Sequence, residues 1–66
     1  MNDLNGQIEV ATRHVEQGRR IVEQQRKRIA EGGAGPGAME LLKTFEQSLA
    51  IFEADLARLL RERDRK

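Results

Sequence analysis

The chain has 66 residues, no cysteine, and twelve lysines and arginines against eleven aspartates and glutamates, for a net charge of +1. A length this short allows one domain whose core is marginal unless something completes it, and the absence of thiols rules out disulfides and thiolate metal sites. Balanced charge exerts no global pull towards phosphate or lipid, and two phenylalanines without tryptophan or tyrosine argue against a base-stacking platform.

The opening residues Met1-Asn2-Asp3-Leu4 lack the basic segment and apolar stretch of a signal peptide, and the longest apolar run is Leu49-Ala50-Ile51-Phe52. With the missing cysteines, the expectation is a cytoplasmic protein with no membrane partner.

From Leu4 to Ile29 the series Leu4, Ile8, Ala11, Val15, Gly18, Val22, Gln25, Ile29 is spaced alternately four and three residues apart. This is a heptad seam and predicts a helix over about 3–31. With Ile8 at a, the a row is Ile8, Val15, Val22 and Ile29, and the d row is Leu4, Ala11, Gly18 and Gln25. Asn2 or Asp3 is placed to cap its start. Arg26, Lys27 and Arg28 suit the negative end of its dipole.

The run Gly32-Gly33-Ala34-Gly35-Pro36-Gly37 breaks the pattern. Glycine ends helices in the left-handed region, and proline is suited to the first turn of the next. A turn over 32–37 is therefore expected, too short for a domain linker. The seam resumes as Ala38, Leu42, Phe45, Leu49, Phe52, Leu56, Leu59, Arg63, predicting a second helix over about 38–64 with Leu42, Leu49 and Leu56 at a and Ala38, Phe45, Phe52 and Leu59 at d. A second basic group, Arg58, Arg61, Arg63, Arg65 and Lys66, gathers near its end.

Folding the chain back at the glycines pairs residues whose numbers sum to about 67. Val22 then meets Phe45, Val15 meets Phe52, Ile8 meets Leu59, Ala11 meets Leu56, Gly18 meets Leu49 and Gln25 meets Leu42. Large side chains face small or slender ones, as close packing requires. The expected fold is an all-α antiparallel two-helix hairpin, coiled-coil-like. Val10, Ile21, Leu41, Ile51 and Leu60, with Ala50, Ala54 and Ala57, lie off the seam. An isologous homodimer forming a four-helix bundle would cover them; a hairpin that stays single, or that awaits a different protein, is the alternative. The expected packing and dimer contacts are Val10, Gly18, Ile21, Leu41, Ile51 and Leu60.

Gly18 costs about 1 kcal/mol against alanine within a helix, so its seam position points to the close approach of a neighbouring helix. Gln25 at a d position either specifies register or partner number or lies near the bundle end and reaches water. His14 flanks the seam at a g position without companions at ligand spacing, which predicts an interface histidine rather than a metal or catalytic site.

Arg19, Arg20, Arg26, Lys27 and Arg28 are candidate nucleic-acid contacts, by analogy of architecture with the small RNA-binding bundle Rop. Against this, Glu9, Glu16 and Glu23 each stand four residues before Arg13, Arg20 and Lys27, the orientation that stabilises a solvated helix. Nothing points to catalysis: Ser48 has no histidine beside it in this register, and the glycine run lacks the Lys-Ser or Lys-Thr of a phosphate loop. No cofactor, metal or small-molecule substrate is expected.

The stretch from His14 to Arg26, HVEQGRRIVEQQR, followed by Leu41 to Leu49, LLKTFEQSL, resembles a group of short, uncharacterised bacterial helical-hairpin proteins. The resemblance implies the hairpin fold and carries no activity with it. The function expected is a non-enzymatic interaction or regulatory module that self-associates.

Overall fold

The computed structural model describes residues 3–65 as two helices of 27 residues, α1 (Leu4–Ala30) and α2 (Ala38–Asp64), packed side by side along their whole length. At about 1.5 Å rise per residue each helix runs about 40 Å, which accounts for a molecule measuring 49 × 17 × 14 Å. The chain is an antiparallel helical hairpin, as its two seams predict.

The ends of α1 are fixed by local chemistry. Asp3 has extended φ and ψ, and its Oδ1 accepts the Asn5 N–H at 3.1 Å, satisfying one of the four donors left free at a helix start. The alternative cap, Asn2, lies outside the described residues, as does Lys66 at the other terminus. At the far end Glu31 is the C-cap and Gly32 takes φ +75°. The Gly33 N–H donates to the Arg28 carbonyl and the Gly32 N–H to the Ile29 carbonyl, both at 3.1 Å. This pair of bonds is the Schellman closure, which requires a left-handed residue where Gly32 stands.

Pro36 does not enter α2. Instead the Ala38 N–H donates to the Gly35 carbonyl at 3.2 Å, closing a turn with Pro36 at its second position and Gly37 at its third, where φ is +84°. That combination is a type II turn: proline presets φ at one position and glycine supplies the left-handed one that follows. Gly37 therefore serves as the N-cap without a side-chain hydrogen bond. Proline thus redirects the chain before the helix begins.

The expected register holds where it is most demanding. A Cβ built on Gly18 would lie 3.1 Å from Leu49 Cδ1 and 3.8 Å from the Leu49 backbone, so Leu49 rests on the bare surface of α1. One heptad layer towards the open end, the His14 and Phe52 rings pack at 5.1 Å between centroids. Towards the turn, Gln25 is 6% exposed, and its Nε2 donates to the Ala38 carbonyl at 3.0 Å. Gln25 borders the grooves near the turn while largely buried. It ties the last turns of α1 to the first residue of α2.

Burial follows the slender positions. Ala11, Val15, Val22, Leu42 and Leu59 are buried, whereas Ile8, Ile29, Phe45, Leu49, Phe52 and Leu56 remain half-exposed. Two helices enclose a line of contact rather than a volume, so among the described residues no large side chain is fully covered.

Two stability effects follow. Gly32→Ala should destabilise the protein by about 1 kcal/mol, since its backbone is left-handed, whereas Gly35→Ala should be neutral or stabilising by up to about 1 kcal/mol; urea unfolding at fixed protein concentration separates the two. Gly18→Leu should cost about 1–3 kcal/mol or more by the same measurement, because the added side chain must displace Leu49.

Candidate interaction surface

An antiparallel seam has two edges: e positions face e positions along one, and g positions face g positions along the other. On the e edge, Arg19 Nη2 lies 3.3 Å from Glu53 Oε2, and Arg26 Nη2 lies 2.6 Å from Glu46 Oε2. Each guanidinium reaches across to the opposite helix and closes the seam beneath it. Outside this edge α1 carries Glu9, Glu16 and Glu23 in one row and Arg13, Arg20 and Lys27 in the next.

The within-helix pairs expected from Glu9, Glu16 and Glu23 are not among the ion pairs of the described residues. Solvated neighbours four apart gain only a few tenths of a kcal/mol, so such pairs form at some positions, as Arg58 with Glu62 on α2, and not at others. The pairs that do form on α1 are those spanning the seam, where packing has already positioned the partners.

The g edge and the c positions beside it are of a different kind. On α1 they hold Val10, His14, Gln17, Ile21 and Gln24, with no Asp, Glu, Lys or Arg between Gln7 and Gln24. On α2 they hold Leu41, Thr44, Ser48 and Ile51, after which Asp55 and Arg58 follow. Those two neutralise each other, with Arg58 Nη2 donating to Asp55 Oδ1 at 2.8 Å and Arg58 Nη1 lying 3.6 Å from Glu62 Oε2. The Asp55 hydrogen bond, and then the charge of Asp55 and Glu62, raises the Arg58 pKa above its usual value. Its guanidinium is thus already paired with carboxylates of its own helix.

Val10, Ile21, Leu41 and Ile51 are all exposed, Ile51 at 68% the most, and all four lie on this c and g side. The other two residues expected at an interface are elsewhere. Gly18 faces Leu49 inside the hairpin, and Leu60 occupies an e position on the opposite edge, half-buried near the open end. Met39, 56% exposed, also sits at e; heptad spacing alone was enough to place it there, yet it had not been singled out. Shallow grooves open along the c and g side, one bordered by Ile21, Gln24 and Phe45 together with the charged Lys27, Arg28 and Glu31, and one by Val10 and His14 together with Asp55 and Arg58.

The five candidate nucleic-acid residues do not form one patch. Arg19 and Arg26 lie on the e edge in ion pairs, Arg20 and Lys27 lie on the outer f row beside the glutamates, and Arg28 borders the groove near the turn. In the second basic group, Arg63 Nε lies 3.4 Å from Asp64 Oδ1. Among the described residues no three His, Cys, Asp or Glu side chains come together as a metal site, and no helix is long and apolar enough to cross a membrane. Comparison with protein-family models, curated proteins and solved structures finds no match.

The e edge gives a direct check of this geometry. Glu46→Arg should destabilise the hairpin by about 0.5–1 kcal/mol by setting two arginines against each other, and adding Arg26→Glu should recover most of the loss. A double-mutant cycle read by thermal unfolding measures the coupling.

Proposed function

We propose that the protein is a non-enzymatic helical interaction module, acting in the cytoplasm, that completes its core by pairing with a second copy to form a four-helix bundle. One observation carries this reading: the single hairpin leaves 5340 Å² accessible, where a compact chain of its mass would leave about 4,250 Å². The excess of roughly 1,000 Å² is comparable to what each partner buries in a stable interface. The half-exposed phenylalanines and the exposed apolar residues of the c and g side contribute to it.

A Rop-like nucleic-acid binder is the alternative, and it has less support. Two of its five candidate cations are already held by carboxylates, and a row of glutamates borders two more. Local phosphate affinity requires several unopposed cations on one surface.

Light scattering across a dilution series, with helicity followed on the same samples, tests the proposal. The expected result is a mass near twice 7.5 kDa at micromolar concentration, with mass and helicity falling together on dilution. A fully helical chain that stays monomeric at millimolar concentration overturns it.

A further inference from the structure

We infer that the second copy docks on the c and g side of the hairpin, with Ile51 near the centre of the contact and the ion-paired e edge left facing solvent. This rests on the self-association proposed above and adds which face is used.

One observation bears on the occupant and two on the face. The first is length. The hairpin measures 49 Å along its axis, and its exposed apolar residues run from Leu41 near the turn to Val10 near the open end, so an occupant that covers them must extend along most of the hairpin, as a second hairpin does.

The second is charge. An isologous contact sets a surface against itself, so any unpaired charge near its centre meets its own kind. The c and g side holds no Asp, Glu, Lys or Arg from Val10 to Gln24 on α1 or from Leu41 to Ile51 on α2; its charges lie towards the ends, Arg28 and Glu31 near the turn and Asp55, Arg58 and Glu62 near the open end, where Arg58 pairs with both carboxylates. The opposite side carries Arg19, Arg26, Glu46 and Glu53, whose pairing demands are met within the chain. Burying those ion pairs would remove four charged groups from water with no new partner to compensate.

The third is distribution. Val10 and Ile21 lie on α1, Leu41 and Ile51 on α2, spread along the axis rather than gathered at one end. Ile51 stands at the midpoint of α2, which spans Ala38–Asp64, and is the most exposed of the large apolar residues described. A copy turned by a two-fold rotation meets apolar side chains over the whole length. Ile51 is thereby placed where the desolvated centre of an interface falls.

The test compares two substitutions of equal chemistry on opposite edges, Ile51→Glu and Met39→Glu, with the unaltered chain. Both residues are exposed in the single hairpin, so neither change disturbs its internal packing. Ile51→Glu should weaken dimerisation at least about a hundredfold in Kd by burying a carboxylate at the contact, while Met39→Glu should leave Kd within about twofold; sedimentation or light scattering reads both. If the unaltered chain dimerises and Ile51→Glu dimerises equally well, or both variants dissociate alike, the face assignment is wrong and self-association stands. If the unaltered chain is monomeric at millimolar concentration, self-association fails and this inference with it; the neutral face then awaits a different protein.

Discussion

Leu49 rests against α1 where Gly18 has no side chain, with only 3.1 Å between its Cδ1 and the place a Cβ would occupy. That close approach fixes how far the two helices slide past each other. If the register slipped by one helical turn, Leu49 would meet a larger neighbour and the glycine would leave a void. The helix-propensity cost of about 1 kcal/mol at Gly18 is therefore offset by what it secures. Once the seam is locked at mid-length, Gln25 reaches the Ala38 carbonyl at one end and His14 packs on Phe52 towards the other.

The same register divides the surface. With a and d positions turned inward, the e rows must face each other, and Arg19 and Arg26 find Glu53 and Glu46 across the seam. The g rows face each other along the other edge, where the middle of the hairpin carries His14, Ile21, Leu41 and Ser48 and charge returns only towards the ends, at Arg28, Asp55 and Glu62. One edge of the hairpin is thus closed by its own charges, and the middle of the other has no ion pair across the seam among the described residues. A contact that fixes register inside one chain also determines which surface remains to be used.

Much of this was legible in the sequence, because heptad spacing and the glycine run are local signals. The two seams and the meeting of Gly18 with Leu49 could be read directly, and the cap of α1 could be narrowed to Asn2 or Asp3, of which Asp3 makes the capping bond. Pro36 could not, since its place at the start of a helix or in the turn before it depends on the backbone angles of Gly37. The ion pairs were misread for a related reason: spacing reveals partners within a helix, whereas Arg26 and Glu46 become neighbours only once the chain has folded back. Leu60 was grouped with Ile51 by hydrophobicity, yet the two lie on opposite edges, a distinction that requires both helices to be rotated into the same register. Spacing alone does not decide between the two roles of Gln25, because the carbonyl its amide donates to belongs to Ala38, thirteen residues away across the turn.

The brevity of the turn has a consequence in time. Loops of this length close in well under a microsecond and helices propagate in nanoseconds per residue, so the hairpin forms within about microseconds. Two copies at micromolar concentration, with ordinary association rates, meet only about once per second. A newly folded hairpin that self-associates therefore spends almost all of its first second alone, with its neutral face uncovered and competing contacts available to it. For such a chain, the rows of glutamate and of arginine and lysine on the outside of α1 would matter most in that interval, since mixed surface charge disfavours indiscriminate association.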